Sequence, residues 1–249
     1  TFLQQAANIL RQATGKVVRY HVCDVRKPEM CEAVVEFVRQ QFGRLDILVN
    51  GAAGNFLAQA AELSPKGFAT VMAIDALGTF NMSRAAHSLL AETAASLKSD
   101  TTLVINISAM LQAGATWWQA HASAAKSAVD SLTRSLALEW GSYGIRVNGI
   151  APGPIANTPG TTKLAPGLNN DDVNGMIGEG VPLKRMGESY EIGHAAVYLA
   201  VAQYVTGHTL VVDGGEWLYK KPIVPQEMVA ELSRKVEGIS RSQGPQSKL

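Results

Sequence analysis

Short apolar runs alternate along this chain with longer amphipathic stretches, and this alternation limits the possible folds more than any other feature. The apolar runs are rich in Leu or β-branched residues and lie at 16–23, 45–50, 102–108, 145–150 and 208–212. The stretches with apolar residues at helical spacing lie at 28–43, 65–97, 118–142 and 188–201. Strands that alternate with helices predict βαβ units. We therefore expect an α/β fold with a doubly wound parallel sheet covered by helices on both faces.

The chain is expected to form one folded domain followed by a tail. Its 249 residues are an ordinary length for a single α/β domain. We assign 1–219 to this domain, with a loop-rich insertion at 153–180, and 220–249 to a polar tail with one short helix. Because the chain starts with Thr and passes directly into a helix-like stretch, we expect that the N-terminal part of a longer protein is missing.

Composition argues against several classes of protein. The net charge of +1 does not suggest nucleic acid or an anionic membrane surface as a partner, and no apolar run is long enough to span a bilayer. The two cysteines, Cys23 and Cys31, are too few for a disulfide framework and indicate free thiols in a reducing compartment. We expect no metal site.

Two neighbouring strand ends are suited to a flat ligand, since ligands of parallel sheets bind beyond the carboxyl ends of the strands. The strand at 45–50 runs into "NGAAGNF", where residues 51–54 are small enough for a flat molecule to approach the backbone. Asp24 ends the preceding strand beside that gap. The alternative is a tight strand-to-helix turn with a capping Asp.

A third strand end, "IAPGPIANT", follows the strand at 145–150. Pro152 and Gly153 stop the strand, and the extended segment after them presents backbone groups that could hydrogen-bond a carboxamide. Taken alone, this segment reads as an ordinary Pro-Gly turn.

The order of these motifs resembles the short-chain dehydrogenase/reductase family. "DV", "NGAAG", "NIS", a Lys-bearing helix, "RVNGIAPGPI" and "VTGHTLVVDGG" follow one another over residues 16–219. The resemblance implies a Rossmann-like fold that binds a nicotinamide cofactor. The glycine-rich phosphate loop of the family belongs on the first βα turn and is not found here, so we expect that the first strand and this loop are missing.

The resemblance also assigns cofactor-binding residues. They are Asp24, Val25, Asn50, Ala52, Ala53, Gly54, Lys126, Pro152, Gly153, Pro154, Ile155 and Thr158. The implied cofactor is NADPH. The basic residues that select NADPH over NADH are absent from the sequence present, so this preference rests on the resemblance alone.

Lys126 matches the lysine that reaches the nicotinamide ribose in this family, but both usual hydroxyl groups are missing. Ala122 stands where the family has tyrosine, and Ala109 stands where it has serine. A carbonyl-reducing mechanism needs a phenolic group to protonate an alkoxide, so that mechanism does not fit this chain. The alternative for Lys126 is an ordinary surface lysine on an amphipathic helix.

Asp75 in "VMAIDALGTFN" is the substitution that accounts for this pattern, because the family normally has Asn there. Its neighbours along the helix are apolar, so we expect burial to favour the neutral carboxylic acid and to keep a proton available. The alternative is a structural Asp bonded to the backbone.

Within the family, this set of motifs is most similar to the peroxisomal 2,4-dienoyl-CoA reductases, which also lack the tyrosine and use an Asp with the Lys. The resemblance implies hydride delivery from NADPH to the far end of a dienoyl thioester, then protonation of the α-carbon to give a 3-enoyl-CoA. Lys126 is assigned to ribose binding and charge stabilisation, and Asp75 to proton delivery through water. The implied fatty acyl-CoA contacts are Phe56, Ser64, Pro65, Lys66 and Lys163.

His121 neighbours the vacated tyrosine position. One residue along a helix turns the side chain about 100° away. We therefore place His121 behind the residues that contact substrate. Trp117, Trp118 and Trp217 are interpreted as packing or pocket wall.

The chain ends in Ser247-Lys248-Leu249, a tripeptide that the peroxisomal import receptor reads at a free C-terminus. We therefore expect a peroxisomal protein with that receptor as a partner. The resemblance also implies a homo-oligomer formed through long helices such as 65–97 and 118–142.

Two other functions remain open from the sequence. One is another short-chain reductase, such as a trans-2-enoyl-CoA reductase, which would be expected to keep the tyrosine. The other is a catalytically inactive member that binds cofactor, which fits the lost hydroxyls but not the retained Lys126 and the new Asp75.

Overall fold

The computed structural model describes residues 2–97, 101–111, 115–158, 160 and 170–242. Its strands are β1 (Ile47–Asn50), β2 (Thr102–Ile107), β3 (Ile145–Pro152) and β4 (Thr209–Val212). Its α-helices are α1 (Phe2–Thr14), α2 (Pro28–Phe42), α3 (Pro65–Met72), α4 (Gly78–Ser96), α5 (Ala120–Trp140), α6 (Asn170–Glu179), α7 (Ser189–Val201) and α8 (Gln226–Ser242). Short 3₁₀ turns lie at Gly141–Tyr143 and Glu216–Leu218, and a π-helical segment lies at Ala73–Leu77.

The four strands form one parallel sheet in the order β1-β2-β3-β4. Asn50 at the end of β1 is level with Asn106 in β2, which is level with Gly149 in β3. The carboxyl ends of these strands therefore meet at one edge of the sheet, where the predicted ligand-binding residues follow them. The α/β fold and the parallel sheet are confirmed.

Helices cover both faces of the sheet, as its fully buried central strands require. On one face, α4 and α5 pack apolar side chains such as Leu90 and Leu136 against Val104 and Val147. On the other face, Leu199 of α7 belongs to the cluster that contains Leu103, Ile105 and Ile150. Alternate residues of β2 thus point to opposite faces, which explains its continuous apolar sequence.

The predicted strand at 16–23 is wrong. These residues form no strand and pair with none of the described strands. Val17 and Val22 are 67% and 65% exposed. A β-rich composition does not make a strand without a neighbouring backbone to supply hydrogen bonds, and none of the described strands lies beside this segment.

The predicted helix at 65–97 contains an irregularity that its periodicity did not reveal. It begins at Pro65 with Ser64 as N-cap, passes through the π-helical segment Ala73–Leu77, and continues as α4. The amide of Gly78 donates to the carbonyl of Ala73, which is the wider spacing of a π-turn. Such turns concentrate at functional sites, and this one has Asp75 at its centre.

The C-terminal part differs in detail from the prediction. The insertion at 153–180 contains helix α6, and the tail carries the 17-residue helix α8, which is longer than the short helix predicted. The chain divides into two compact units, Thr1–Trp217 and Leu218–Leu249. None of the helices in the described residues is long and apolar enough to cross a bilayer.

Candidate active site

The ammonium group of Lys126 lies at the carboxyl edge of the sheet and contacts two groups. Its Nζ donates to the carbonyl oxygen of Ile107 at the end of β2, at 3.0 Å. It also lies 3.2 Å from Oδ2 of Asp75, and the two side chains are 9% and 1% exposed. The structure therefore brings together the two residues that the sequence assigned to catalysis, in a nearly water-free environment.

The carboxyl group of Asp75 is held in place by the π-helical segment and by the loop after β1. The backbone N–H of Gly54 donates to Oδ1 at 2.7 Å. Oδ2 faces Lys126 but has no aligned hydrogen bond. The sequence suggested an acid isolated among apolar neighbours. The structure instead gives it an ammonium group and an N–H donor, because these groups come from other parts of the chain.

One of the two alanines that replace the usual hydroxyl residues, Ala122, lies on the helix of Lys126, and the other, Ala109, borders a cavity. Ala122 is 2% exposed. Ala109 lines a cavity of about 450 Å³. The cavity wall also includes predicted cofactor-binding residues, which are Pro152, Gly153, Pro154, Ile155 and Thr158. Gly153 is required there, because a Cβ at this position would lie 2.7 Å from the backbone of Asp213.

Two further buried side chains lie next to these residues along the chain. From the sequence, His121 was placed behind the residues that contact substrate, and Ser108 had no assigned role. Among the described residues, the buried side-chain nitrogen or oxygen atoms without an aligned hydrogen-bond partner belong to Asp75, Ser108 and His121. Ser108 directly follows the carbonyl that accepts from Lys126. Burial lowers the pKa of His121, against the opposing influences of a poorly aligned hydrogen bond with the backbone of Phe56 and of the charge of Asp75. The signal available in the sequence was the proximity of both residues to the two alanine substitutions.

Comparison with known proteins agrees with this geometry. The family model described as "Enoyl-(Acyl carrier protein) reductase" matches residues 2–216. A peroxisomal 2,4-dienoyl-CoA reductase [(3E)-enoyl-CoA-producing] of Arabidopsis thaliana is 53% identical over 91% of this chain and 77% of its own length. A probable 2,4-dienoyl-CoA reductase [(2E)-enoyl-CoA-producing] of Bacillus subtilis is 37% identical over 88% of this chain and 84% of its own length.

Two solved structures are also similar to this chain. A short chain dehydrogenase from Bacillus anthracis has a TM-score of 0.73 at 35% identity, over 88% of this chain and 83% of that one. A gluconate 5-dehydrogenase from Burkholderia cenocepacia, in complex with NADP and tartrate, has a TM-score of 0.75 at 26% identity, over 87% of this chain and 81% of that one. The chain belongs to the short-chain dehydrogenase/reductase family.

As expected of a short-chain reductase, the residues around the cavity fit a nicotinamide group. The backbone of 152–155 borders a space large enough for the ring, and Lys126 and Asp75 supply polar groups at the carboxyl edge of the same sheet. Thr158 keeps its hydroxyl bonded to the carbonyl of Ile155, which steadies this wall.

Three of the remaining predicted cofactor residues, Asn50, Val25 and Asp24, have identifiable hydrogen-bonding partners. The Asn50 amide donates to Ser83 at 2.8 Å and to Asn106 at 2.9 Å, so this side chain holds the strand ends together. The carbonyl of Val25 accepts from Asn81. The guanidinium of Arg26 lowers the pKa of Asp24 to about 2, which keeps that carboxylate ionised. Ala52 and Ala53 are exposed.

The predicted substrate residues are placed differently from one another. The ring of Phe56 stacks on His121 with centroids 4.3 Å apart, which brings it to the active site. Ser64 caps α3 by accepting from the amide of Gly67, and the exposed Pro65 and Lys66 form the first turn. Lys163 lies outside the described residues, as do Ser247, Lys248 and Leu249.

Proposed function

We propose that this chain carries the active site of a 2,4-dienoyl-CoA reductase, which uses NADPH to produce a 3-enoyl-CoA. The observation that carries the proposal is the buried Asp75–Lys126 pair, formed where alanines replace the tyrosine and serine of carbonyl-reducing relatives. A reductase of carbonyl groups needs a hydroxyl acid at that place, whereas reduction of a conjugated carbon chain needs a proton at carbon instead. The names of the curated relatives support the same substrate class.

The proposed roles of Lys126 and Asp75 follow from where charge develops on the substrate during the reaction. When bound, NADPH supplies a hydride to the far end of the diene, and negative charge then develops on the thioester oxygen and along the carbon chain. The buried ammonium of Lys126 stabilises that charge more strongly than it would in water, and it also holds the ribose. Asp75 directs a proton to the α-carbon through a water molecule. Phe56, Ser64, Pro65, Lys66 and Lys163 contact the acyl-CoA.

The cofactor contacts proposed are those assigned from the sequence. The segment Pro152–Ile155 and Thr158 hold the nicotinamide. Asp24 and Val25 lie on the adenosine side, and the strand end at Asn50, Ala52, Ala53 and Gly54 lies between them. Asp24 forms an ion pair with Arg26, but its carboxylate stays half-buried. The accessible part of this ionised carboxylate accepts hydrogen bonds from the adenosine.

We also propose that the protein works in the peroxisome as a homo-oligomer. The Ser247-Lys248-Leu249 end and the peroxisomal names of several relatives support import by the peroxisomal receptor, whereas the Bacillus relative is not named for that organelle. Leu138 on α5 is 86% exposed, which supports the use of this helix in subunit contacts.

Turnover of full-length protein with NADPH, followed by the loss of its absorbance, tests the function. Reduction of a 2,4-dienoyl-CoA but not of a 2-enoyl-CoA is expected, and the opposite preference would favour a trans-2-enoyl-CoA reductase. Asp75→Ala and Lys126→Ala should each lower kcat by at least about 10²-fold. Ser127→Ala, an exposed change on the same helix, is the control. Intact turnover in both active-site variants would refute the assignment, and cofactor binding without any turnover would indicate an inactive member.

A further inference from the structure

His121 stands out because its imidazole is completely buried and poorly supplied with hydrogen bonds. It is 0% exposed, and neither Nδ1 nor Nε2 has an aligned hydrogen-bond partner in the described structure, although the backbone of Phe56 is near enough to raise its pKa. Leaving a buried polar group unpaired costs about 1–3 kcal/mol, so folded proteins keep such groups where a water molecule or a functional demand accounts for them. We therefore expect the imidazole to hydrogen-bond a further group that enters the site.

Asp75 and His121, two of the described residues with unpartnered buried atoms, lie close to Lys126 or to its ion-pair partner. Asp75 Oδ2 lies 3.2 Å from the ammonium group of Lys126, and Ser108 follows the residue whose carbonyl accepts from that group. His121 lies on the same helix as Lys126, and its imidazole is close enough to Asp75 to feel the charge of the carboxylate. Two of the unsatisfied buried side chains of the described residues, Asp75 and His121, thus lie near each other.

The orientation of the imidazole is restricted by its neighbours. Its ring stacks on Phe56 with an interplanar angle of 30°, which limits the directions its nitrogens can take. Desolvation lowers the pKa of His121 below its ordinary value of 6.5, so the ring is neutral near pH 7. A neutral ring offers one N–H donor and one acceptor nitrogen. Together with Asp75 Oδ2, the imidazole offers the kinds of group to which a buried water molecule hydrogen-bonds.

We propose that His121 is a positioning residue that holds, together with Asp75, the proton-donating water at the α-carbon of the substrate and so decides which product forms. This inference rests on the proposed function. Phe56 is assigned to substrate binding, and its stacking on His121 connects the imidazole to the bound acyl thioester.

The chemistry makes the position of that water decisive. After hydride has formed the new C–H bond at the δ-carbon, the electron pair of the broken double bond is delocalised over the thioester oxygen, the α-carbon and the γ-carbon. A proton that bonds to the α-carbon leaves a 3-enoyl-CoA, and one that bonds to the γ-carbon leaves a 2-enoyl-CoA. The water is re-protonated through the Asp75–Lys126 pair. Relatives named for each product exist, so the choice is open to the protein.

The test compares two replacements of His121 in the full-length enzyme. His121→Phe keeps a ring against Phe56 and removes both polar atoms, whereas His121→Gln keeps a donor and an acceptor. Reactions run in D₂O are examined by NMR for deuterium at the α- or the γ-carbon. His87→Gln is the control, because His87 also contacts aromatic rings but belongs to a different cluster, with Trp140 and Tyr143.

The wild type and His87→Gln are expected to place deuterium at the α-carbon. His121→Phe should lower kcat on the order of 10²-fold with little change in KM, and should release a measurable share of product labelled at the γ-carbon. His121→Gln should recover most of the α-selectivity. Unchanged kcat and labelling in His121→Phe would overturn this inference alone. A wild type that does not reduce the dienoyl-CoA would overturn the proposed function with it.

A measurement on the free wild-type enzyme covers the case in which His121→Phe does not fold. The ¹⁵N spectrum of the imidazole should show a singly protonated ring with both nitrogens hydrogen-bonded at pH 7. A nitrogen with the shift of an unbonded imidazole would overturn the inference, because the water could not then be held by His121.

Discussion

The Asp75–Lys126 contact makes a quantitative prediction about stability. The groups lie 3.2 Å apart and are almost completely buried, with side chains 1% and 9% exposed. At an effective dielectric constant of about 20, two unit charges at that distance attract by about 5 kcal/mol before desolvation is subtracted. Removing one member of such a pair is expected to cost about 3–5 kcal/mol, since the other charge is left in the interior.

A double-mutant cycle measures the pair directly. Asp75→Asn keeps an acceptor for the amide of Gly54, and Lys126→Met keeps the length of the side chain. We expect each single variant to lose about 3–5 kcal/mol in the free energy of unfolding, measured with urea. The double variant has no unpaired charge, so it should lose less than the sum of the two, with a coupling energy of at least about 2 kcal/mol.

The exposed pair Arg39–Glu92 provides the matched control. Its side chains are 39% and 55% exposed, so the cycle of Arg39→Met and Glu92→Gln should give a coupling energy of only about 0.2–1 kcal/mol. A coupling energy below about 0.5 kcal/mol for Asp75 and Lys126 would refute the reasoning. It would mean that the two groups do not attract each other strongly in the resting enzyme.

Two further predictions concern packing and pH. Gly78→Ala should lower the free energy of unfolding in urea by about 1–3 kcal/mol and weaken NADPH binding, because its Cβ would lie 2.5 Å from Cγ2 of Val25. The control is Gly175→Ala, whose Cβ meets open space and should leave the stability unchanged. Equal effects of the two variants would contradict this account. The ion pair with Arg185 lowers the pKa of Glu191 from its ordinary 4.5 to about 2, so the stability that it contributes is complete above pH 4.5 and is lost as the pH falls towards 2. Thermal unfolding of Glu191→Gln should therefore change less with pH over that window than that of the wild type, and parallel curves would show that the pair contributes nothing.

Local patterns were sufficient to predict most of the fold. The apolar runs that became β1 to β4 are bounded by turn residues, and two of them are buried on both faces, so their composition alone identifies them. The segment 16–23 has a similar composition and failed as a strand, because a strand also needs a paired neighbour. Composition measures suitability for a sheet, whereas pairing depends on which backbone lies alongside.

The candidate site was predicted in part for the same reason. Lys126 could be singled out because it matches the lysine of the family, and Asp75 because an acid replaces the usual Asn in a chain that has lost both usual hydroxyl groups. The π-turn around Asp75 and the donation from Gly54 could not be predicted, since both depend on how the helix meets the loop after β1. His121 was placed behind the site by counting helical angles, and its stacking on Phe56 became visible only in three dimensions.

The sequence by itself determined the order of strands and helices, the small residues at the strand ends and the presence of Lys126 with the unusual acid Asp75. These features depend only on neighbours along the chain. The tertiary structure decided the 3.2 Å approach of Asp75 to Lys126, the burial that strengthens their attraction and the surroundings of the His121 imidazole. The physical reason is that charge interactions and desolvation depend on distances through space, and packing of distant segments sets those distances.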